Sequence, residues 1–332
     1  MMDSRVLHQV VLIALLAALV AGTGDAQEDR SPHSARFVTV DNGVRLEVLD
    51  WGGTGRPVVL LAGLGSTAHV FDTFAPKLAA TWHVYGITRR GYGASDAPVS
   101  GYSADRLGDD VLEVLDALKL IGPVLVGHSI AGEELSSIGS RYPEKAAGLV
   151  YLDAGYGYAF YDQSVGDLGL DLAELQRKLE LFRKQQDTDT RPMIRELLEA
   201  SLPAFEKDLR AERDFLQTLP PATFATGTSA AKPVASHESI AEGERKYTRI
   251  PVPILAIFAV PHDMGPAMAN DPVRRAAFDA QDEASTGAQA LAFEKGVPSA
   301  RVVRLPHASH FVFRSNEADV LRELGTFIGG LP

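Results

Sequence analysis

Cysteine is absent from all 332 residues. That excludes disulfides, thiol nucleophiles and cysteine-ligated metals. Positive charge is in short supply: 32 Lys and Arg stand against 43 Asp and Glu, a net charge of −11. A nucleic-acid partner is therefore not expected, because phosphate recognition rests on clustered cations. The sequence also lacks an apolar run of the about 20 residues that a bilayer-spanning helix needs. Its longest run, Val10–Ala21, has twelve.

That short run has a different meaning. Arg5 precedes it, and Gly24-Asp25-Ala26 follows with small residues at the −3 and −1 positions of a cleavage site. Residues 1–26 are expected to be a secretory signal peptide, cut before Gln27. A periplasmic or secreted protein follows, with no stable membrane anchor after cleavage. A chain without cysteine suits such a compartment, since it needs no disulfide machinery.

What is present is an alternation of strands and helices. Phe37–Val40 and Val44–Val48 flank Asp41-Asn42-Gly43, a hairpin signal. Pro57–Leu61, His83–Ile87, Val124–Val126, Gly148–Leu152, Ile254–Val260 and Arg301–Leu305 read as strands. Several are continuous apolar runs, as strands buried on both faces are. Ala104–Leu120 carries Leu107, Val111, Val114, Leu115 and Leu118 on one helical face. Asn316–Ile328 reads as a closing helix with Ser315 as its N-cap. The expected fold class is α/β: a mostly parallel central sheet with helices on both faces.

The alternation stops after Asp153. Residues 156–250 hold no convincing strand. Asp171–Lys184 reads as a helix opened by Asp171 and Glu174 in a capping box. Pro192–Ser201 and Phe205–Leu219 read as two more, and Pro220–Ser239 as loop. We read 156–250 as a helical cap inserted between two parts of one core, 27–155 and 251–332.

The chemistry points to Gly127-His128-Ser129-Ile130-Ala131-Gly132. A strand precedes it and a helical segment, Glu133–Arg141, follows. A serine on so tight a turn needs small residues two positions to either side, here Gly127 and Ala131. Its backbone then lies at a helix N-terminus, where N–H groups can hold an oxyanion.

With Ala62-Gly63-Leu64-Gly65, Arg90-Gly91-Tyr92-Gly93-Ala94-Ser95 and a late His310, this motif resembles the α/β-hydrolase superfamily over roughly Phe37–Leu331. Three departures are visible: Ala131 for glycine, Ala62 where histidine is common, and Thr88 where aspartate is frequent. The resemblance implies a serine hydrolase without cofactor or metal, acting on a small-molecule ester, with lactonase or proline-iminopeptidase-like activity as alternatives. A ligand receptor of the same fold is the alternative from another class. It implies Ser129 as nucleophile and His310 as base. His307 is the rival base, and the pair His307 and His310 is too sparse for a metal site. Asp263, after the strand 254–260, is expected to orient His310, with Asp153 as the alternative acid. Leu64 and Ile130 are expected to donate to the oxyanion. His128 reads as packing, and Glu133 and Glu134 as complements to the helix dipole. Tyr156, Tyr158 and Phe160 are expected to line the substrate pocket.

Overall fold

The computed structural model describes residues 32–184, 189–218, 235–265 and 272–332. The proposed signal peptide lies outside them. The described residues form two compact units, one from 32–162 with 246–332 and a second from 163–245. No helix among the described residues is long and apolar enough to cross a membrane.

The first unit is an eight-stranded sheet. Its strands are β1 (Ser34–Val40), β2 (Val44–Gly52), β3 (Pro57–Leu61), β4 (His83–Ile87), β5 (Val124–His128), β6 (Gly148–Leu152), β7 (Ile254–Ala259) and β8 (Ala300–Leu305). The order across the sheet is β1-β2-β4-β3-β5-β6-β7-β8. β1 and β2 form the antiparallel hairpin, and β2 meets β4 antiparallel; every other pair is parallel. The apolar runs explain this. β5 and β6 are buried at every position, so both of their faces need covering.

Side chains alternate between two cores. Val58, Leu60, Val124, Val126, Val150, Leu152, Leu255 and Ile257 join Phe71, Phe74, Phe313, Leu324 and Ile328 on one face. On the other, Phe293 of the helix Pro272–Gly296 meets Tyr151 and Phe258 edge-on, at centroid distances of 5.2 and 6.2 Å. Fully burying an aromatic or leucine side chain contributes about 1.5–3 kcal/mol, so these two layers hold the strand ends in register.

Register places the chemistry. His128 pairs with Leu152, Leu152 with Ile257, and Ala259 with Leu305. The residues that follow β5, β6, β7 and β8 therefore emerge side by side on the carboxyl edge, where open α/β sheets bind ligands.

Among the boundaries that differ from the sequence reading, three change a cap or an element type. The helix expected from Asp171 begins at Leu168, and Asp167 caps it by accepting the Leu170 amide at 3.1 Å. The closing helix is Glu317–Gly329; Ser315 does not cap it, and its hydroxyl accepts the Ser309 amide instead. Ala235–Gly243 is helix, so Ala235–Ser239 are helical where loop was expected; the rest of that expected loop, 220–234, lies outside the described residues.

The second unit is helical: Leu168–Lys184, Arg191–Glu196 running into a wider π turn at Leu197–Ser201, Leu202–Thr218 and Ala235–Gly243. Lys178 ties its turns together, reaching Glu196 at 2.5 Å and Ser201 at 3.0 Å.

Candidate active site

Ser129 stands directly after β5, with φ +55°, in the left-handed region that non-glycine residues rarely occupy. Holding it there costs on the order of 1–3 kcal/mol, which the surrounding packing must supply. The Ser129 amide donates to Leu152 O at 3.2 Å, and the helix Ala131–Arg141 starts two residues on. The small flanks are required sterically. A Cβ at Gly127 would lie 2.9 Å from Leu135 Cδ1. At Gly132 it would lie 2.0 Å from the backbone oxygen of Ala154. Alanine is tolerated at 131 because the close approach to β6 is made one residue later.

His310 lies in the loop after β8. Its Nε2 is 2.8 Å from Ser129 Oγ, and its Nδ1 is 2.6 Å from Asp153 Oδ2. Ser129, His310 and Asp153 are all buried, Asp153 completely. The carboxylate fixes the tautomer: Nδ1 carries the proton donated to Asp153, so Nε2 is free to accept from the serine hydroxyl.

This corrects the expectation for Asp263. That residue is exposed; its side chain accepts the Gly265 amide at 2.9 Å, and its own amide donates to Ala308 O at 2.8 Å. Two causes are visible. β6 is the neighbour of β5, so Asp153 emerges beside Ser129. In the turn after β7, His262 is buried and the next residue, Asp263, is exposed. Asp153 also has φ +47°, which turns its side chain off the strand path.

Asp153 receives three donors. Oδ1 accepts the Ala259 amide at 2.9 Å, and Oδ2 accepts from His310 and, at 2.8 Å, from His262 Nε2. Burial alone would raise its pKa, but His262 and His310 outweigh burial and hold it well below the usual carboxylate range. The other nitrogen of His262 lies 2.8 Å from Asp282 Oδ2. Burial disfavours the imidazolium, but Asp153 and Asp282 together lift its pKa to about 10.

Asp153, His262 and His310 also have the composition of a metal-ligand set. Their 2.6 and 2.8 Å contacts are hydrogen-bond lengths. Ligands at about 2.1 Å on a tetrahedral ion would stand farther from one another.

His128 does more than pack. Its Nε2 donates to the His310 carbonyl at 3.0 Å, and its ring lies 4.7 Å from that of His310. Burial, with His310 adding to it, lowers its pKa to about 3, so the ring is neutral. His307 sits away from the site, exposed, with Nδ1 3.3 Å from Arg275.

The loop Ala62–Gly65 borders Ser129. A Cβ on Gly63 would come within 3.0 Å of the Ser129 Cβ. The Ser66 amide closes the turn onto Gly63 O at 3.2 Å. Arg89 donates to Ala62 O at 2.9 Å and pairs with Glu134, both side chains being buried. Glu134 is thus an ion-pair partner that braces this loop, beyond its place in the first helical turn.

The pocket expectation fares differently by residue. Tyr158 and Phe160 are buried in the sheet-containing unit; Phe160 packs on Phe293 at 5.6 Å, and its carbonyl accepts from Gln289. Phe160 is core rather than pocket lining. Tyr156 is half-buried, with its hydroxyl 3.3 Å from His262 Nε2.

A model of the alpha/beta hydrolase family matches residues 58–323. The chain belongs to that family. Within the family it is similar to a 2-(acetamidomethylene)succinate hydrolase of Mesorhizobium japonicum, at 28% identity over 30% of this chain and 36% of that protein. It is also similar to a non-heme chloroperoxidase of Streptomyces lividans, at 34% identity over 35% of this chain and 44% of that protein. The chain thus spans less than half the length of these curated relatives. Among solved structures, an esterase from Exiguobacterium antarcticum superposes with TM-score 0.56 at 17% identity, over 90% of this chain and all of that one. At that identity the likeness concerns the alpha/beta hydrolase fold alone.

Proposed function

We propose that this alpha/beta hydrolase cleaves carboxylic esters through an acyl-enzyme on Ser129. The observation that carries the reading is the chain Ser129 Oγ–His310 Nε2 at 2.8 Å and His310 Nδ1–Asp153 Oδ2 at 2.6 Å. Serine is a poor nucleophile until a base within hydrogen-bond reach removes its proton, and that base needs a third group to orient it.

Ser129 Oγ attacks the ester carbonyl carbon while its proton passes to His310 Nε2. The Leu64 and Ile130 amides hold the developing oxyanion; one such donor is worth about 2.7–4 kcal/mol in serine proteases. The C–O bond to the alcohol breaks, and the alcohol leaves with the proton from His310. Water then attacks the acyl group, again giving its proton to His310; the bond to Ser129 Oγ breaks as His310 returns that proton to it, and the acid departs. Asp153 stays ionised throughout and stabilises the imidazolium. Esters suit this site better than amides, since an alcohol leaves with less protonation than an amine.

The test is turnover on p-nitrophenyl acetate and butyrate, with a γ-lactone and a proline β-naphthylamide in the same panel. Ester hydrolysis that disappears in Ser129→Ala supports the reading. A wild-type chain that turns over none of the esters would overturn it: turnover of the lactone or the naphthylamide would favour those activities, and turnover of nothing in the panel a receptor that only binds.

A further inference from the structure

We propose that His262 and Asp282 extend the Ser129–His310–Asp153 arrangement into one buried five-residue chain, and that His262 acts within it as a positively charged positioning residue that keeps the serine active at lower pH. This rests on the ester-hydrolase reading of the same site.

The geometry sets the charge. Both ring nitrogens of His262 face carboxylate oxygens, Asp153 Oδ2 at 2.8 Å and Asp282 Oδ2 at 2.8 Å. A neutral imidazole has one acceptor nitrogen, which would point its lone pair at a carboxylate. Only the imidazolium donates on both sides. The elevated pKa of His262 agrees. Asp282 is itself fixed: its Oδ2 also accepts the His262 amide at 2.7 Å, and its Oδ1 accepts from Thr286 Oγ1 at 2.7 Å. Among the described residues, the groups facing His262 are Asp153 at the end of β6, the Tyr156 hydroxyl after it, Asp282 from the helix Pro272–Gly296, and the His310 ring at 6.3 Å.

Charge conservation gives the consequence. A lone Asp153 would stabilise protonated His310, and protonated His310 cannot accept the serine proton. The cation on His262 shares the same carboxylate oxygen and offsets part of that stabilisation. The cation therefore favours the neutral ring, the form that can accept the serine proton. A unit charge about 6 Å away in a partly screened interior is worth a factor of about ten or more in that balance.

The test uses the rate of Ser129 phosphonylation by a fluorophosphonate, measured from pH 4.5 to 9 on the full chain, which needs no knowledge of the substrate. His262→Gln keeps a donor toward Asp153 but removes the charge. Its acid midpoint is expected to rise by about one pH unit, making labelling on the acid side about tenfold slower relative to its own plateau. His262→Asn, a shorter side chain that likewise removes the charge, should shift the midpoint the same way, and serves if His262→Gln does not fold. A purely structural role would lower the plateau and leave the midpoint in place; that outcome in the folded variants, or a shift toward acid, overturns the inference alone. A wild-type chain that is not labelled at any pH overturns the inference together with the reading beneath it.

Discussion

His128 and His310 are joined twice: the ring of His128 donates to the backbone carbonyl of His310 at 3.0 Å, and the two rings lie 4.7 Å apart. The residue just before the nucleophile thus anchors the loop that carries the base. His128→Phe retains the ring packing and loses the donor. We expect kcat to fall about tenfold with KM nearly unchanged, as for loss of one buried hydrogen bond. Unaltered kcat in a folded variant would show that the aromatic packing alone positions the loop.

The two aspartates separate cleanly. Asp153→Asn presents an amide to His310 Nδ1 and favours the wrong tautomer, so ester turnover should fall by about 10³–10⁴-fold. Asp263→Asn changes an exposed side chain that accepts the Gly265 amide and stands away from His310, and should leave turnover within about twofold. Steady-state kinetics on one chromogenic ester compares them directly.

Gly132 is the position where the elbow helix touches the end of β6. Gly132→Ala drives a methyl group into the Ala154 carbonyl, next to Asp153. Backbone must move, so a loss of about 1–3 kcal/mol is expected, with a fall in kcat from the displaced carboxylate. Thermal unfolding and turnover read the two effects. Ala131→Gly, one residue earlier, should leave both nearly unchanged.

Stability should depend on pH through His262. Its folded pKa of about 10 lies above the ordinary histidine value of about 6.5. A raised pKa means that the folded state binds the proton more tightly. The contribution is therefore complete below about pH 6.5 and is lost as pH rises through about 10. The wild-type Tm should fall by several degrees between about pH 7 and 10, and His262→Gln should show a flatter profile. Parallel profiles would contradict the buried imidazolium.

The parallel strands were legible because their apolar runs admit few other placements. Ser129 and His310 were legible because small residues around a serine between strand and helix, and a histidine before the closing helix, are local patterns. Asp153 and Asp263 were not separable locally: both follow strands on the carboxyl edge, and only sheet order and side-chain direction choose between them. Asp282 was hidden more deeply. Its helix, Pro272–Gly296, turns Asp282, Thr286 and Gln289 inward beside Ala290, Ala292 and Phe293. Half of the buried stripe is polar, so apolar periodicity does not reveal it. His262 passed unnoticed because its partners lie 109 and 20 residues away.

Mass spectrometry of the fluorophosphonate-treated chain at pH 8 tests the central claim most directly. A single adduct is expected, on the peptide bearing Ser129, absent from Ser129→Ala and formed orders of magnitude more slowly in Asp153→Asn. No adduct, or an adduct on another serine that survives Ser129→Ala, would contradict it.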